Sequence, residues 1–339
     1  MAKGKQASKR KAEETEESDQ EELAPKPARK TKKPRKEASK AESAVENTQP
    51  TNKELPEVIE FPAKTPNTFR LASWNVSGLQ ASQKKGFHRY IEAEDPDVIV
   101  ITETKMNQKP ELEALEKRFP HQYWTFSTKK GYALKQTVAG IALLSKEKPL
   151  SAEETIPNYP DAGDSKGRIM TLEFKTCYFV GTYVVNAGVN LKFMEAKETW
   201  MKSFFPYLTE LDKKKPVIWA GDLNVAPTAL DLTKPKPNWN KTPGYTEAET
   251  SGFKNFLNPP DDPEAPKFVD LWRNLHPEER AYTYFSYRFN CRSKGIGWRI
   301  DGFVLSERLV SRVKMCEIRG EIYGASDHLP VVMEIEGEL

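Results

Sequence analysis

The sequence predicts a layered α/β sandwich with mixed β-sheets. Short runs rich in β-branched and aromatic residues recur through most of the chain, which is typical of sheets rather than helical bundles. Segments with helical apolar spacing fall between some of these runs. One pair of runs is separated by only two or three residues, as in a hairpin, whereas another run follows a helical segment, so both antiparallel and parallel pairing are expected.

The elements are predicted in chain order from residue 68. Strands are predicted at 68–76, 97–104, 139–145, 168–174, 177–185, 216–225, 297–306 and 327–336, and helices at 83–93, 110–118 and 192–213. In the last helix Phe193, Ala196, Trp200, Phe204, Tyr207 and Leu211 recur at three- and four-residue intervals. The apolar faces of these helices are expected to cover the sheets. The Pro-rich segment 226–248 carries Trp239 and Tyr245, which favours a working loop over a passive linker.

The chain divides into a tail and one domain. Residues 1–60 contain no Phe, Trp or Tyr and are dominated by Lys, Glu, Ala, Ser and Pro. Such a segment buries too little apolar surface to offset the entropy lost on ordering, so we predict a disordered tail. Residues 61–339 are long enough to bury a sizeable core and are predicted to form a single catalytic domain.

Charge patterning in the tail suggests a location. Basic clusters at 3–11 and 28–36 flank an acidic block at 13–22, and they resemble nuclear-localisation signals. The alternative is a solvated polyampholyte that only keeps the protein soluble. Residues 1–50 hold 13 Lys and Arg against 10 Asp and Glu, which is the whole excess of 52 over 49, so net charge does not point to nucleic acid in the folded part.

Several protein classes are disfavoured by the composition. The three cysteines, Cys177, Cys291 and Cys316, are widely spaced and form no CxxC pair, so neither a disulfide framework nor a structural zinc site is indicated. A reducing compartment fits this pattern. No apolar run approaches the ~20 residues of a membrane span, and the first residues lack a secretory signal, so no membrane partner is expected.

The clearest chemical signal is PVIWAGDLNV, an apolar strand that ends in a polar pair. Asp222 and Asn224 are two residues apart, hence on one face of the strand. A carboxylate and a carboxamide there can accept a proton from a water nucleophile and hydrogen-bond an oxyanion on phosphorus. An ordinary turn is the alternative for this short motif.

Two further signals are acidic. Asp327 and His328 precede the strand LPVVMEI, and Glu103 ends the apolar run DVIVITE. A carboxylate at the end of a buried strand costs several kcal/mol unless it is paired or bound to a cation. Oxygen ligands favour Mg²⁺, or Mn²⁺ in its place, over zinc. A magnesium site is therefore implied.

Two weaker signals complete the set. Asn75 ends the strand RLASWN before a Gly-containing turn, where a turn former is the simple explanation. Asp301 lies in GWRIDGF next to Arg299. Asp301 could form a buried salt bridge, cap a strand end, or orient a neighbouring imidazole.

In this order, the motifs SWNVSGLQA, ITETK, TYVVNAG, WAGDLNVAP, GWRID and SDHLPVV resemble the exonuclease III class of AP endonucleases, within the endonuclease/exonuclease/phosphatase superfamily. The resemblance runs from about residue 69 to the C-terminus. It implies a four-layered α/β sandwich with two packed mixed sheets flanked by helices. It also implies a monomeric enzyme of base excision repair that uses Mg²⁺ to hydrolyse double-stranded DNA 5′ to abasic sites, with 3′-phosphodiesterase and 3′–5′ exonuclease side activities.

The resemblance implies roles residue by residue. Glu103 and Asp327 match metal ligands, Asp222 a proton acceptor or nucleophile positioner, and Asn224 a transition-state stabiliser. Tyr183 and Asn186 match a phosphate-contacting pair, and Asp301 with His328 an Asp/His dyad. The full predicted metal set is Asn75, Glu103, Asp222, Asn224, Asp327 and His328. Asp222, Tyr183 and the dyad are all open as final proton acceptor, with Asp222 favoured.

Contacts to DNA are implied in the same way. Tyr284 and Trp298 match the wall of a pocket for a flipped-out abasic sugar, with Asn238 nearby, and aromatic packing favours a sugar without a base. Tyr132 and Lys105 match phosphate-gripping positions. Val189 and Arg288 stand at two DNA-penetrating positions, where some relatives place an Arg at the first and an apolar residue at the second.

Ser77 departs from the family pattern, because it stands where the family has an Asp or Asn beside the metal. A neutral hydroxyl is a weaker Mg²⁺ ligand, so poorer metal affinity with surviving activity is predicted. Two other function classes remain in view. Lipid or inositol phosphate phosphatases share the Asp-x-Asn and Asp-His chemistry, but NVAP lacks their expected Arg motif. A DNA-binding protein with decayed catalysis is suggested only by Ser77.

Overall fold

The computed structural model describes residues 49–127, 139–262 and 264–339. Two predicted features lie outside these ranges. They are the first 48 residues of the predicted tail, including both basic clusters, and the predicted phosphate contact Tyr132.

The described residues form twelve strands and eight α-helices. The strands are β1 Thr68–Asn75, β2 Val98–Thr102, β3 His121–Phe126, β4 Gly140–Ser145, β5 Ser151–Glu153, β6 Ile169–Glu173, β7 Tyr178–Tyr183, β8 Val217–Asp222, β9 Phe268–Asp270, β10 Asp301–Ser306, β11 Val313–Ile318 and β12 Val331–Glu336. The helices are α1 Leu79–Lys84, α2 Phe87–Glu94, α3 Glu113–Arg118, α4 Ala162–Ser165, α5 Met194–Asp212, α6 Pro235–Asn238, α7 Glu247–Leu257 and α8 Leu271–Leu275.

The strands form two six-stranded sheets, and both are mixed as predicted. The first sheet has the order β11-β12-β1-β2-β4-β3, and the second β5-β6-β7-β8-β10-β9. In the first sheet β1 runs parallel to β2 and antiparallel to β12. In the second, β7 runs parallel to β8, whereas β10 is antiparallel to β8. The predicted hairpin is the antiparallel pair of β6 and β7.

The two sheets pack face to face around a shared core. Alternate residues of each strand point inward, as the two-residue period of a strand requires. Leu71 and Val100 from the first sheet meet Phe179, Ile218 and Phe303 from the second, and all five side chains are buried. This interface is the largest apolar cluster of the described residues and forms the centre of the sandwich.

Helices cover the outer face of each sheet. On the first sheet, the outward-facing residues of β1 and β2 pack against α1, α2 and α3, in a cluster that includes Trp74, Ile99, Phe87, Tyr90 and Leu115. On the second sheet, the outward-facing residues of β8 pack against α5 and α7, in a cluster that includes Val217, Trp219, Trp200, Phe204 and Phe253. The order of layers is helices, sheet, sheet, helices, so the predicted four-layered α/β sandwich is confirmed.

Four strands that the sequence did not predict are the edges of the two sheets. They are β3, β5, β9 and β11. The strands β5 and β9 have only three residues each, and most residues of β3 and β11 are half-buried or exposed. Edge strands are commonly short or polar because one side of their backbone is unpaired. They therefore carry a weak apolar pattern.

Helix boundaries also differ from the prediction. The helix predicted at 83–93 is two helices, α1 and α2, which meet at Gly86 in the left-handed region with φ of 100°. The segment 226–248, predicted as a loop, contains α6 and the first two residues of α7. The helices predicted at 110–118 and 192–213 are present with shorter bounds.

Residues 49–60, which we call the N-terminal strap, lie on the domain. Asn52 Nδ2 donates to the carbonyl oxygens of Glu321 at 2.9 Å and Tyr323 at 3.4 Å. Leu55 and Ile59 pack against the cluster beneath α1 and α2. The structure therefore places the strap with the folded unit, whereas the sequence had assigned these residues to the disordered tail.

The strand directions converge on one rim of the sandwich. The carboxyl ends of β1, β2, β7 and β8 lie there together with the starts of the antiparallel strands β10 and β12. The polar motifs found in the sequence occupy these strand ends. No helix in the described ranges is long and apolar enough to span a bilayer.

Candidate active site

The polar residues at the rim are held by unusual backbone geometry. Ser77, Glu103, Lys105 and Asn224 have φ values of 49° to 52°, in the left-handed region that non-glycine residues seldom enter. Each lies just after a strand end. Such conformations cost of order 1–3 kcal/mol and cluster at functional sites, where the surrounding structure enforces them. The chain is therefore turned sharply at the points where it presents polar groups.

A glycine brings two of the central strands together. Gly221 has φ of 140°, and a Cβ at this position would lie 1.9 Å from the carbonyl oxygen of Thr182. Only glycine fits this close approach. The next pair in the register is Tyr183 opposite Asp222, so the tyrosine and the aspartate lie side by side at the rim.

Asn75 joins carboxylates from the two sheets. Its Nδ2 group donates to Glu103 Oε1 and to Asp222 Oδ2, both at 2.9 Å. The side-chain oxygen of Asn75 accepts from the backbone N–H of Ser77 at 2.9 Å. All the bonds of Nδ2 are made in the buried space between the sheets. Asn75 therefore acts as a bridge that orients the carboxylates, and its amide oxygen accepts from Ser77; its role as a metal ligand remains a prediction.

The two bridged carboxylates differ in their protonation. Burial raises the pKa of Asp222 to about 8, and the nearby Asp301 and Glu103 carboxylates add to this effect. Burial alone would raise the pKa of Glu103 as well, but Lys105, His328, Asn75 and Tyr183 outweigh it and lower that pKa. Lys105 Nζ lies 3.4 Å from Glu103 Oε2. Glu103 therefore stays charged at neutral pH, while Asp222 holds a proton readily.

Asp301 and His328 form a buried pair. His328 Nδ1 is 2.8 Å from Asp301 Oδ2, and both side chains are at most 3 % exposed. Burial alone would lower the pKa of His328, but Asp301, Asp222 and Asp327 outweigh it and raise the pKa to about 10. The Thr283 hydroxyl accepts the backbone N–H of Asp301 at 3.0 Å and so fixes the start of β10. The imidazole is therefore charged at neutral pH.

Asn224 reaches the site through a turn rather than through strand alternation. β8 ends at Asp222, and the backbone N–H of Asn224 donates to Asp222 Oδ1 at 2.9 Å. Asn224 Nδ2 donates to the carbonyl oxygen of Val184, and Asn224 Oδ1 accepts from Asn186 Nδ2, both at 2.9 Å. Asp222 and Asn224 lie close together as expected, but the left-handed backbone of Asn224 brings them together, and strand alternation does not. Asn224 is oriented by Val184 and Asn186 rather than placed as an open ligand.

Three carboxylates, with the His328 imidazole beside them, form a cluster that fits a hard divalent cation. Ligand atoms of Glu103, Asp222 and His328 lie within 4.8 Å of one another, and all three residues are buried. Asp327 Oδ1 is also buried and has no hydrogen-bond partner among the described residues. Burial and the Glu103 carboxylate raise the pKa of Asp327. Crowded buried carboxylates with an unpaired oxygen are the environment that a Mg²⁺-like ion stabilises.

Aromatic side chains line the rim beside the imidazole. Tyr284 forms isolated backbone bridges with both Trp298 and His328, and its ring lies 4.8 Å from the His328 ring. The Trp298 and Tyr245 rings meet edge-on with their centroids 6.5 Å apart, and the centroids of Tyr245 and Trp239 are 5.0 Å apart. The predicted pocket residues Tyr284 and Trp298 are thus neighbours. Trp298 also contacts the aromatic side chains of the 226–248 segment.

The other predicted DNA contacts are more scattered. Asn186 and Arg288 are exposed, and Val189 is half-buried. Asn238 Nδ2 donates to the carbonyl of Lys234 and its Oδ1 accepts from Thr242, so its amide is engaged within its own loop. These bonds hold the Asn238 amide within its own loop, and its contact with DNA remains a prediction.

Two buried ionic residues near Asn224 were not predicted. Lys197 Nζ lies 2.6 Å from Glu249 Oε1, and both side chains are at most 1 % exposed. A signal existed in the sequence, since Lys197 falls four residues after Phe193 and three before Trp200, on the apolar stripe of the helix. A charged residue at such a position requires a buried partner.

Arg299 does not pair with the adjacent Asp301. Its guanidinium bonds to Asp231 at 2.7 Å and to Asp270 at 2.7 and 3.0 Å. The salt-bridge alternative considered for Asp301 is therefore replaced by contact with His328, and Arg299 ties the 226–248 segment to β9 and β10.

Comparisons with known proteins agree with this architecture. A model of the Endonuclease/Exonuclease/phosphatase family matches residues 72–328. The Exodeoxyribonuclease of Bacillus subtilis strain 168 is 39% identical over 268 residues, covering 78% of this chain and 99% of that protein. The DNA repair nuclease APEX1 of Danio rerio is 38% identical over 268 residues, covering 78% of this chain and 81% of that protein.

Solved structures give the same result. An AP endonuclease from Archaeoglobus fulgidus superposes with a TM-score of 0.66 and 25% identity, covering 79% of this chain and all of that one. The AP endonuclease LMAP from Leishmania major superposes with a TM-score of 0.64 and 26% identity, covering 85% of this chain and 97% of that one. The residues matched by the family model, 72–328, include the rim residues from Asn75 to His328.

Proposed function

The chain belongs to the endonuclease/exonuclease/phosphatase family and, within it, to the exonuclease III class of AP endonucleases; on this premise we propose that it hydrolyses the DNA phosphodiester 5′ to abasic sites in base excision repair. The observation that carries the proposal is the amide bridge of Asn75, which holds Glu103 and Asp222 together between the two sheets. This arrangement places a proton acceptor next to acidic groups suited to a cation, which is the equipment for metal-dependent phosphodiester hydrolysis.

Mg²⁺ is the proposed cofactor, and Mn²⁺ could replace it. Glu103 and Asp327 would hold the ion, with Asp222 and His328 in reach of it. When bound, a divalent cation supplies positive charge to phosphoryl oxygens and promotes ionisation of water. An all-oxygen carboxylate set favours these hard ions over zinc.

Asp222 is the proposed proton acceptor. Its raised pKa of about 8 makes the ionised carboxylate a stronger base than an ordinary one, and the positive charge of a bound cation would favour that ionised form near neutral pH. His328 carries a charge at the same pH because of its raised pKa, so it stabilises developing negative charge rather than accepting the proton. Asp301 keeps the imidazole oriented for that role.

Amide and phenol groups are proposed to bind the scissile phosphate. Asn224 Nδ2 donates one hydrogen to the carbonyl oxygen of Val184, and its second hydrogen remains available to donate to an oxyanion. The Tyr183 hydroxyl bonds to Glu103 and stays protonated, because burial raises its pKa well above the ordinary value. Asn224 can therefore donate its second hydrogen directly, whereas Tyr183 has a single hydrogen and would donate it to the phosphate only after releasing Glu103.

The aromatic wall supports selection of abasic sites in double-stranded DNA. Tyr284 and Trp298 offer flat apolar surface beside the charged centre. Such a surface favours a sugar without a base over an intact nucleotide. Lys105 and the exposed Arg288 are proposed to contact phosphates.

Side activities, location and assembly complete the proposal. Relatives carry the name exodeoxyribonuclease, which supports 3′–5′ exonuclease and 3′-phosphodiesterase side activities at the same site. The basic clusters at 3–11 and 28–36 support a nuclear location. We propose that the enzyme acts as a monomer, because one chain supplies every rim residue described above.

The proposal is tested with an abasic-site duplex, an intact duplex and an inositol phosphate, each incubated with Mg²⁺ or with EDTA. We expect incision of the abasic duplex alone, 5′ to the lesion, and only with Mg²⁺. Release of phosphate from the inositol compound would instead identify a phosphatase. Binding of DNA without incision at any Mg²⁺ or Mn²⁺ concentration would identify a DNA-binding protein whose catalysis has decayed.

A further inference from the structure

A buried lysine contacts the backbone of the proposed transition-state stabiliser. Lys197 Nζ donates to the carbonyl oxygen of Asn224 at 2.5 Å and to Glu249 Oε1 at 2.6 Å. Lys197 lies in the first turn of α5 and is 1 % exposed. Because burying an ammonium group is costly unless it is paired and hydrogen-bonded, both contacts are needed to keep the charge at this position.

The partner carboxylate collects further donors from the loop that follows Asn224. Both oxygens of Glu249 accept the backbone N–H of Gly244 at 2.9 Å, and Oε2 accepts the Thr246 hydroxyl at 2.8 Å. Glu249 is also the N3 residue of the capping box that starts α7. One carboxylate thus fixes the start of α7, the end of the loop and the lysine.

The same loop returns to Asn224 through the backbone. Ala226 donates to the carbonyl of Gly244 at 2.8 Å. Gly244 has φ of 86°, and a Cβ there would lie 3.2 Å from the Asn224 carbonyl oxygen. The carbonyl of Asn224 is therefore enclosed by the lysine on one side and by this glycine on the other.

Asn224 requires such support, because its backbone is in the left-handed region with φ of 49°. A residue held in this region persists only where the surroundings enforce it. The carbonyl contact with Lys197 restrains the peptide that follows Asn224, and the Asp222 carboxylate restrains the peptide that precedes it. With both flanking peptides restrained, the orientation of the Asn224 side-chain amide is fixed.

We propose that Lys197 and Glu249 are positioning residues that hold Asn224 in its working orientation. The proposal rests on the proposed function only in that Asn224 acts on the scissile phosphate. It predicts that the ion pair affects the chemical step and leaves DNA binding nearly unchanged, because neither side chain reaches the surface.

The test uses the double variant Lys197→Met/Glu249→Gln, which removes the pair without leaving a single buried charge. Glutamine keeps an oxygen that can accept from Gly244. We expect kcat to fall about 10- to 100-fold, as is usual when a group supporting an active-site residue is lost. We expect the Kd for abasic duplex in EDTA to change by less than about twofold, because only the transition-state interaction is affected.

Two controls separate positioning from general destabilisation. Asp212→Asn weakens the ion pair between the buried Asp212, at the other end of α5, and the exposed Arg308, so it should lower stability while kcat stays near that of wild type. Asn224→Gly removes the side chain and tolerates the left-handed backbone. In that background the double variant should cause no further loss of kcat, because no amide remains to be positioned.

Amide hydrogen exchange provides a readout that does not depend on activity. Peptides that contain Asn224, Ala226 and Gly244 should exchange faster in the double variant, whereas β7 should exchange as in wild type. Rates are measured on abasic duplex and on a duplex with a recessed 3′ end, so a failure of abasic specificity is a distinct result. Unchanged exchange, or an equal loss of kcat in the wild-type and Asn224→Gly backgrounds, would overturn the proposal.

Discussion

Two carboxylates that accept from the same amide have different pKa values because their other neighbours differ. Glu103 and Asp222 both accept from Asn75 at 2.9 Å. Lys105, His328 and hydrogen-bond donors lower the pKa of Glu103 against the effect of burial, whereas burial, Asp301 and Glu103 raise that of Asp222. Environments that push two pKa values apart assign different roles to chemically similar groups. Glu103 is suited to hold a cation and Asp222 to accept a proton.

The Asp301 carboxylate is expected to matter through His328. Asp301→Asn keeps the size of the side chain but removes the charge that raises the pKa of the imidazole. We expect kcat on abasic duplex to fall about 10- to 100-fold, with little change in DNA affinity measured in EDTA. A kcat within about twofold of wild type would show that the dyad is not part of the chemistry.

Ser77 is the position where a stronger metal ligand can be restored. The residue has φ of 49°, a conformation that Asp adopts more easily than most residues, so Ser77→Asp is compatible with the backbone. An added carboxylate should lower the Mg²⁺ concentration needed for half-maximal cleavage by about tenfold. The measurement is a Mg²⁺ titration of incision for both proteins, with Ser77→Asn as a neutral control. Superimposable curves for all three would refute a role of this position in metal affinity.

Among the elements, the 226–248 segment depends on one buried acid. Asp231 accepts from Arg299 at 2.7 Å, from Arg273 at 2.6 Å and from the Thr228 hydroxyl at 2.8 Å. Trp298 and Leu232 meet in a backbone bridge beside it. The network therefore fixes the aromatic wall to the second sheet through charged groups, in addition to the apolar packing of Leu232 and Tyr245 with Trp298.

The pKa of Asp231 makes the contribution of this segment to folding stability depend on pH. Burial alone would raise the pKa, but Arg299 and Arg273 outweigh it and hold the pKa below its ordinary value. A lowered acid pKa stabilises the fold above the unfolded-state pKa of about 4, and this stability is lost as the pH falls further. Asp231→Asn should therefore cost about 3 kcal/mol at pH 7, and the difference should shrink below about pH 4. Urea unfolding across pH measures it, and a difference independent of pH would contradict the ionic explanation.

The strands that the sequence did not predict were missed for one physical reason. Central strands such as β2 and β8 are buried on both faces and read as apolar runs, so they were predicted. The edge strands β3, β5, β9 and β11 are short or half-exposed and carry no such run. Single-sequence patterns record burial, and burial is weakest at the edges.

The candidate site was predicted in outline for a related reason. Polar residues after buried strands stand out, which identified Glu103 and Asp222. The donors that orient them depend on contacts between distant parts of the chain, such as Asn75 with Asp222 or Lys197 with Asn224. Local spacing cannot show which amide atom faces a carboxylate. The bridging role of Asn75 and the support of Asn224 therefore required the folded structure.

At the scale of the whole molecule, the site exists only when the two sheets are packed together. Asn75 and Glu103 come from the first sheet, whereas Asp222 and Asp301 come from the second. The amide bridge crosses the interface between the sheets. Hydrolytic activity should therefore be lost together with tertiary structure rather than before it.

The N-terminal strap is expected to stabilise the sandwich. Asn52 bonds to the turn at Glu321 and Tyr323, and Leu55 and Ile59 cover apolar surface. A chain that starts at residue 61 should melt about 4–8 °C below one that starts at residue 49, because roughly 2 kcal/mol of hydrogen bonding and apolar burial is lost. Scanning calorimetry of the two chains makes the comparison. Equal melting temperatures would mean that the strap rests on the domain without stabilising it.

Single-turnover incision of an abasic duplex by wild type and Asp222→Asn, at saturating Mg²⁺, tests the central claim that the rim cluster performs the hydrolysis. The substitution keeps the shape of the side chain and removes the proposed proton acceptor. We expect the rate to fall about 10²- to 10⁴-fold while the variant still binds the duplex and melts as a folded protein. Incision by Asp222→Asn at the wild-type rate would contradict the assignment.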